Sequence, residues 1–284
     1  MVRIAEDKAA VEHAVNDRLR FDVVVADLTW NDHVIEFSFD GLDVLNALRR
    51  AGRHTPVIFA AQGHGLERDH LDEAIEQPEV VGIYRKATGP GPLMEAIDIA
   101  VSGGSLTTSR FPTGASPPDI PRIHSYFRKG KGTTAARLAG AIASGRAVNH
   151  DTLAGTAHVG YDTAAKLVDY LGPLIKDRRE HSHELKMTPE VVYRWCGEHA
   201  RYILSWCRRN GHGDIATRVT ATVALYAAYA VRPGRGHPHR PGRLVCVYAA
   251  GEPIPASMQI LAWTDQDPAR IRLIVRKVEI SSDF

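Results

Sequence analysis

Cysteine is scarce in this chain: Cys196, Cys207 and Cys246 are the only three among 284 residues. So odd and sparse a set builds no disulfide framework, and a reducing compartment is the simpler setting. Long apolar runs are missing too. No stretch reaches the roughly eighteen consecutive apolar residues of a membrane span, and no basic-then-apolar leader opens the sequence, so the expectation is a cytoplasmic protein that makes no membrane contact. What remains is an ordinary globular composition, 44% hydrophobic and 24% charged, at a length that suggests two or three compact units.

The net charge of +2 conceals an asymmetry. Residues 1 to 105 carry 10 Lys and Arg against 18 Asp and Glu, whereas residues 106 to 284 carry 25 against 15. An acidic front half joined to a basic back half is the pattern of a sensing or protein-binding module followed by one that binds a polyanion. An accident of composition is the bland alternative.

In the front half, short apolar runs alternate with helical patterns. VRIA (2–5), VVVADL (23–28), PVIFAA (56–61) and VVGIYR (80–85) read as strands. Between them AAVEHAVNDRL, DGLDVLNALRRAG and ERDHLDEAIE place apolar residues at helical spacing, and PLMEAIDIAVSGG adds a helix opened by proline and closed by glycine. This alternation predicts a parallel sheet with helices on both faces. Ligands and chemistry in such sheets gather at the carboxyl ends of the strands. Asp27 ends the second run, after residues that look buried.

The ordered set resembles the receiver domain of bacterial response regulators, a flavodoxin-like α/β fold, over residues 2 to 104. The family's phosphoacceptor aspartate ends its third strand, the place of Asp27 in VVVADLTW. A loop closing on Asp40-Gly41 and a helix follow. TPVIFAAQ matches the fourth strand, Lys86 in GIYRKATGPGPLMEAI the lysine after the fifth, and Tyr84 the aromatic switch position. The resemblance implies phosphorylation of Asp27 by a sensor kinase, with Lys86 pairing with the acyl phosphate. A carboxylate attacking a phosphoryl donor also needs Mg²⁺ held by further acidic oxygens.

Two departures stand out. The family's switch hydroxyl falls on Ala61. Its acidic pair, carried at the end of the first strand, has no match at family spacing, since only 26 residues precede Asp27. MVRIAED then aligns with the second strand, leaving the family's first strand and helix without a counterpart. In a rival alignment Glu6 and Asp7 are the acidic pair, and with Asp27 the Mg²⁺ candidates, while the second strand and helix are lost. Asp27 has two readings: a phosphoacceptor, or a strand-end carboxylate held by Lys86 in a domain controlled by a small ligand or a partner.

Residues 102 to 122, SGGSLTTSRFPTGASPPDIPR, hold too much Ser, Thr, Gly and Pro for a packed element and read as a linker, which we bound at 105–122. TTAARLAGAIASG (133–145) follows as an Ala-rich helix ending at Gly145. NHDTLAGTAHV starts a second at a cap on Asn149 or Asp151, and YDTAAKLVDYLGPLI is a third after Gly160. The last two, with Ala154 at their crossing and Val159, Ala164, Leu167, Val168 and Leu171 inside, resemble a helix-turn-helix.

The segment IASGRAVNHDTLAGTAHVGYDTAAKLVDYL is similar to that of LuxR-type and winged helix-turn-helix regulators at Ala143, Gly145, Leu153, Ala154, Val159, Thr163 and Lys166. Gly160 replaces the usual capping serine, and His158 a common glycine. The resemblance implies binding of double-stranded DNA as a homodimer, with Tyr161, Asp162, Ala165 and Lys166 toward base edges and Thr163 on phosphate. Lys129 and Lys131 in FRKGKGTT, with Arg178 and Arg179 in KDRR, would neutralise further phosphates. An Ala-rich protein-protein bundle is the alternative, which the exposed Asp162 and Asp169 favour.

TPEVVYRWCGEHARYILSWCRRNG, from residue 188, reads as one long amphipathic helix whose Val192, Trp195, Cys196, His199, Ile203 and Trp206 form a core or dimer stripe. Cys196, His199 and Cys207 are zinc-ligand types, but no two cysteines are closely spaced, so buried thiols are expected. ATRVTATVALYAAYAV reads as a buried element. VRPGRGHPHRPGR, with Arg232, Arg235, Arg240 and Arg243, is either a wing on DNA or a solvated loop. LVCVYAA, MQILAWT and RIRLIVRKVEI read as strands.

The expected organisation is an α/β receiver-like domain with a parallel sheet (1–104), a linker (105–122), a mainly α helix-turn-helix region (123–182) and an α+β region (183–284) for dimerisation or a wing. The expected function is transcriptional regulation through DNA, not enzymatic catalysis. The rival is a signalling scaffold with a pseudo-receiver domain and no DNA binding.

Overall fold

The computed structural model describes residues 2–17, 20–30, 37–63, 65–105, 115–117 and 119–217, with the backbone of three C-terminal strands at 245–248, 258–260 and 275–277. The chain divides into two compact units. The first comprises Met1–Trp30, Gly41–Gly114 and Arg240–Phe284, and the second Asn31–Asp40 and Ala115–His239.

In the first unit β1 (Val2–Ala5), α1 (Lys8–Asn16), β2 (Val23–Asp27), α2 (Gly41–Arg50), β3 (Val57–Ala61), α3 (Arg68–Ala74), β4 (Val80–Arg85) and α4 (Pro90–Val101) follow one another. β2, β3 and β4 form a parallel sheet in which Asp27 stands opposite Ala60. Its strands are apolar without alternation because both faces are covered. On one face Leu93, Ala96, Ile97 and Ala100 of α4 pack against Val23, Val25, Ile58, Ala60 and Tyr84. Each large side chain buried there contributes about 1.5–3 kcal/mol relative to exposure.

Local chemistry fixes the helix ends. Asp7 caps α1 by accepting a hydrogen bond from the Ala10 amide at 2.7 Å. α4 begins at Pro90 and closes where Gly103 adopts a positive φ of 76°. Gly41, which opens α2, has no room for a side chain: a Cβ there would lie 2.5 Å from the Asp27 carbonyl oxygen and 2.8 Å from the Phe59 ring.

The sheet is parallel only across β2, β3 and β4. β1 does not pair with β2; the backbone of β5 (Val245–Tyr248) runs antiparallel to both. β6 (Met258–Ile260) pairs antiparallel with β7 (Val275–Lys277).

The second unit is helical over its described length: α5 (Ile123–Phe127), α6 (Gly132–Ala143), α7 (His150–Ala157), α8 (Tyr161–Ala165), α9 (Leu167–Asp177), α10 (Pro189–Glu198) and α11 (Ala200–Arg209). α6 is central, touching α5, α7, α9, α10 and α11. Its run of small residues explains the close approach: a Cβ on Gly140 would stand 2.8 Å from Cys207 Sγ.

Two helices read as continuous from periodicity are interrupted. The third helix of the expected DNA-binding region breaks at Lys166, whose ψ of 20° leaves the helical range, and the long amphipathic helix breaks at His199 with ψ 9°. The apolar stripe survives the second break, for Val192, Trp195, Cys196, Ile203 and Trp206 are all buried. Residues 218–244 lie outside the described residues, and with them most of ATRVTATVALYAAYAV and the basic segment with Arg232, Arg235, Arg240 and Arg243. No described helix is long and apolar enough to cross a membrane.

Candidate functional sites

β2 delivers Asp27 to the carboxyl edge of the sheet, and the turn after β4 brings Lys86 beside it, with Nζ 2.7 Å from Oδ1. Burial pushes the Asp27 carboxyl above its ordinary value; Lys86 pulls it back, and the nearby charge of Glu67 adds to the rise. Asp27 and Lys86 therefore meet as the strand order requires.

Glu67, which sequence reasoning missed, is the second carboxylate here. It is buried at the end of a single helical turn, Gly65–Glu67. The Thr29 hydroxyl donates to its Oε1 at 2.8 Å, and the Gln62 and Gly63 amides donate to its Oε2 at 2.9 and 2.8 Å. Gly63 has φ +86°, a conformation that suits glycine. Successive amides turned onto one oxygen form a backbone nest for an anion.

The other residues of the expected switch behave differently. Ala61 is buried at the end of β3 and brings no hydroxyl. Tyr84 is buried in the core, its hydroxyl donating to the Gly89 carbonyl at 2.7 Å. Asp7 is engaged in capping α1, and Glu6 is exposed. Among the described residues no group of three or more His, Cys, Asp or Glu is placed to hold a metal ion. The Mg²⁺ that the receiver resemblance implies would be offered, among the described residues, Asp27 and a Glu67 already holding three donors, which do not make a three-carboxylate cation site.

In the second unit, α7 is capped reciprocally by Asn149 and Thr152, so Asn149 rather than Asp151 is the cap. α7 ends on His158, left-handed at φ 51°, ψ 49°. Asn, Asp and His are the non-glycine residues that tolerate this region best. Arg137 of α6 holds the turn: its Nε donates to the Ala157 carbonyl at 2.7 Å and its Nη2 pairs with Asp214 at 2.6 Å.

After this turn α8 presents Tyr161, Asp162, Ala165 and Lys166 to solvent, with Thr163 partly covered. Lys129 and Lys131 are exposed and make no ion pair with a described residue. Lys131 Nζ lies 6.0 Å from the centre of the Tyr170 ring, and Tyr170 is one helical turn beyond Lys166. Lys129 and Lys131 also line a cleft of about 410 Å³ with Arg122, Ser125, Tyr126 and Gly132, a lining without a carboxylate.

The KDRR pair is placed otherwise. The Arg178 side chain is fully buried, donating from Nε and Nη2 to Glu180 at 2.9 and 3.0 Å and from Nη1 to the Pro121 carbonyl at 2.9 Å. Glu180 also accepts from Trp195 Nε1 at 2.7 Å and faces His199 Nε2 at 3.4 Å. Burial by itself would raise the Glu180 carboxyl; the bonds from His199, Arg178 and Trp195 win and hold it far below the usual carboxylate range. Arg179 is exposed and pairs with Asp119 at 2.8 Å. Arg178 is therefore a core residue rather than a surface phosphate contact.

In comparisons with known proteins, no family model, no curated protein and no solved structure matches the chain.

Proposed function

We propose that the protein is a DNA-binding transcriptional regulator of response-regulator type, in which the helical unit binds duplex DNA and an atypical receiver-like unit controls it. The observation that carries this reading is the exposed row Tyr161, Asp162, Ala165 and Lys166 along the short α8 and its end at Lys166, directly after a tight turn. A helix N-terminus presented in this way is what helix-turn-helix proteins insert into the major groove. Lys129 and Lys131 support it as cations without ion-pair partners among the described residues, joined to the α8–α9 surface through Tyr170. Cations so placed neutralise backbone phosphates and release counterions. Two such proteins side by side, as a homodimer, would read paired half-sites.

Control of the first unit, on this reading, comes from a ligand or partner more readily than from phosphoryl transfer. Ala61 provides no switch hydroxyl, and among the described residues the carboxylates around Asp27 do not make a Mg²⁺ site. The test is selection of genomic DNA fragments by the purified full-length protein at two salt concentrations. Recovery of common sequences, with affinity falling steeply as salt rises, supports the proposal. Absence of salt-sensitive binding overturns it and leaves the scaffold reading.

A further inference from the structure

We infer that the Thr29 hydroxyl and the Gln62 and Gly63 amides form a cradle for a tetrahedral oxyanion of the phosphate class beside Asp27, which this chain fills with its own Glu67 carboxylate. The three donors converge on Glu67 at 2.8–2.9 Å. None comes from its own helical turn: Thr29 is 38 residues away, and the two amides belong to the loop leaving β3. They serve the same need as the donors of any anion site, two adjacent backbone amides on one oxygen and a hydroxyl on the other.

Occupancy of the three donors by Glu67 explains why an external anion is kept out. Asp27 and Glu67 bring two carboxylates to this edge, and Lys86 pairs with Asp27. An incoming phosphate dianion meets a carboxylate in its place, although the Arg85 guanidinium lies against Gly63 beside it. Without Glu67, Asp27 and Lys86 form a neutral pair and the three donors open. The site thus stays in an anion-filled state with no modification of Asp27, and an effector that withdraws Glu67 would convert it into a phosphate receptor.

The site lies wholly within the first unit and does not rest on DNA binding, so either proposal can fail without the other. The experiment is titration of inorganic phosphate into ¹⁵N-labelled full-length protein, following the Gln62 and Gly63 amide resonances. Wild type is expected to show no saturable shift. Glu67→Ala is expected to show saturable shifts at both amides, an affinity gain on the order of tenfold or more, and loss of that gain when Thr29→Val is added. Glu67→Gln keeps a carbonyl on the amides and is expected to stay closed. Should alanine leave the loop unfolded, Glu67→Ser, neutral and shorter, must show the gain instead. Phosphate binding by wild type, by the glutamine variant, or by neither shortened variant overturns the proposal.

Discussion

Lys86 Nζ stands 2.7 Å from Asp27 Oδ1, and both side chains are about one-seventh exposed, at 15% and 14%. So little solvent makes the lysine the main compensation for a carboxylate whose proton affinity burial already raises.

Lys86→Met is expected to destabilise the first unit by about 3 kcal/mol, because it strands a buried charge. Adding Asp27→Asn should recover most of the loss. The folded Asp27 holds its proton to higher pH than the unfolded one, so its stabilisation is present below its ordinary value of 3.8 and is lost as pH rises through the raised value. Removing Lys86 pushes that value higher still. Urea unfolding at several acidic pH values should show Lys86→Met closing its gap to wild type as pH falls.

Glu180 works in the opposite sense. Its carboxyl is depressed, so its contribution is full above the ordinary 4.5 and disappears as pH falls through the folded value. Glu180→Gln is expected to cost about 3–5 kcal/mol at neutral pH, since the buried Arg178 loses the carboxylate to which its Nε and Nη2 donate. The variant should also lose less stability on acidification than wild type, which unfolding curves near pH 7 and pH 3 compare directly.

The lysines and Arg178 should separate binding from folding. Lys129→Ala, Lys131→Ala and Lys166→Ala are expected to leave the unfolding midpoint near wild type while weakening DNA binding. Each phosphate contact removed should lower the slope of log affinity against log salt by about 0.9. Arg178→Ala should lower stability first. An Arg178 variant that unfolds like wild type yet binds DNA poorly would contradict its placement in the core.

Two glycines make a paired test of packing. Gly41→Ala is expected to destabilise by about 1–3 kcal/mol because its Cβ meets the Asp27 carbonyl oxygen. Gly155, inside α7, has nothing within 4 Å of the same position, and alanine there should stabilise by about 0.5–1 kcal/mol. Thermal unfolding reads both signs.

Burial pushes the Cys207 thiol up to about 12 and Cys196 upward as well. Neither is expected to react with a thiol reagent at pH 8 in the native protein, and both should react after denaturation. Peptide mapping by mass spectrometry distinguishes them from Cys246.

What could be read without coordinates was local. The run VVGIYR becomes β4 with the same ends, and Asn149 announces a helix start, because both depend on neighbours within a few residues. Asp27 and Lys86 could be paired in advance through the receiver resemblance, together with the rule that parallel strands bring their carboxyl ends to one edge. Glu67 gave no such signal. It follows an unremarkable QGHGL stretch, and its partner Thr29 is 38 residues distant.

The helix breaks at Lys166 and His199 were hidden for a related reason. The apolar spacing continues across both, and the burial of its residues is unaffected. Arg178 misled because KDRR is basic in sequence, whereas the fold buries its side chain on Glu180 and the Pro121 carbonyl.

The sequence by itself determined the strands of the parallel sheet, the helix caps, and the contrast between an acidic first half and a basic second half, since these follow from short-range sterics, hydrogen bonding and composition. Only the tertiary structure decided which charges are available. A charged residue looks the same in a sequence whether it faces water or a partner; the fold closes Glu67 onto Thr29 and Arg178 onto Glu180, and leaves Lys129, Lys131 and Lys166 in solvent.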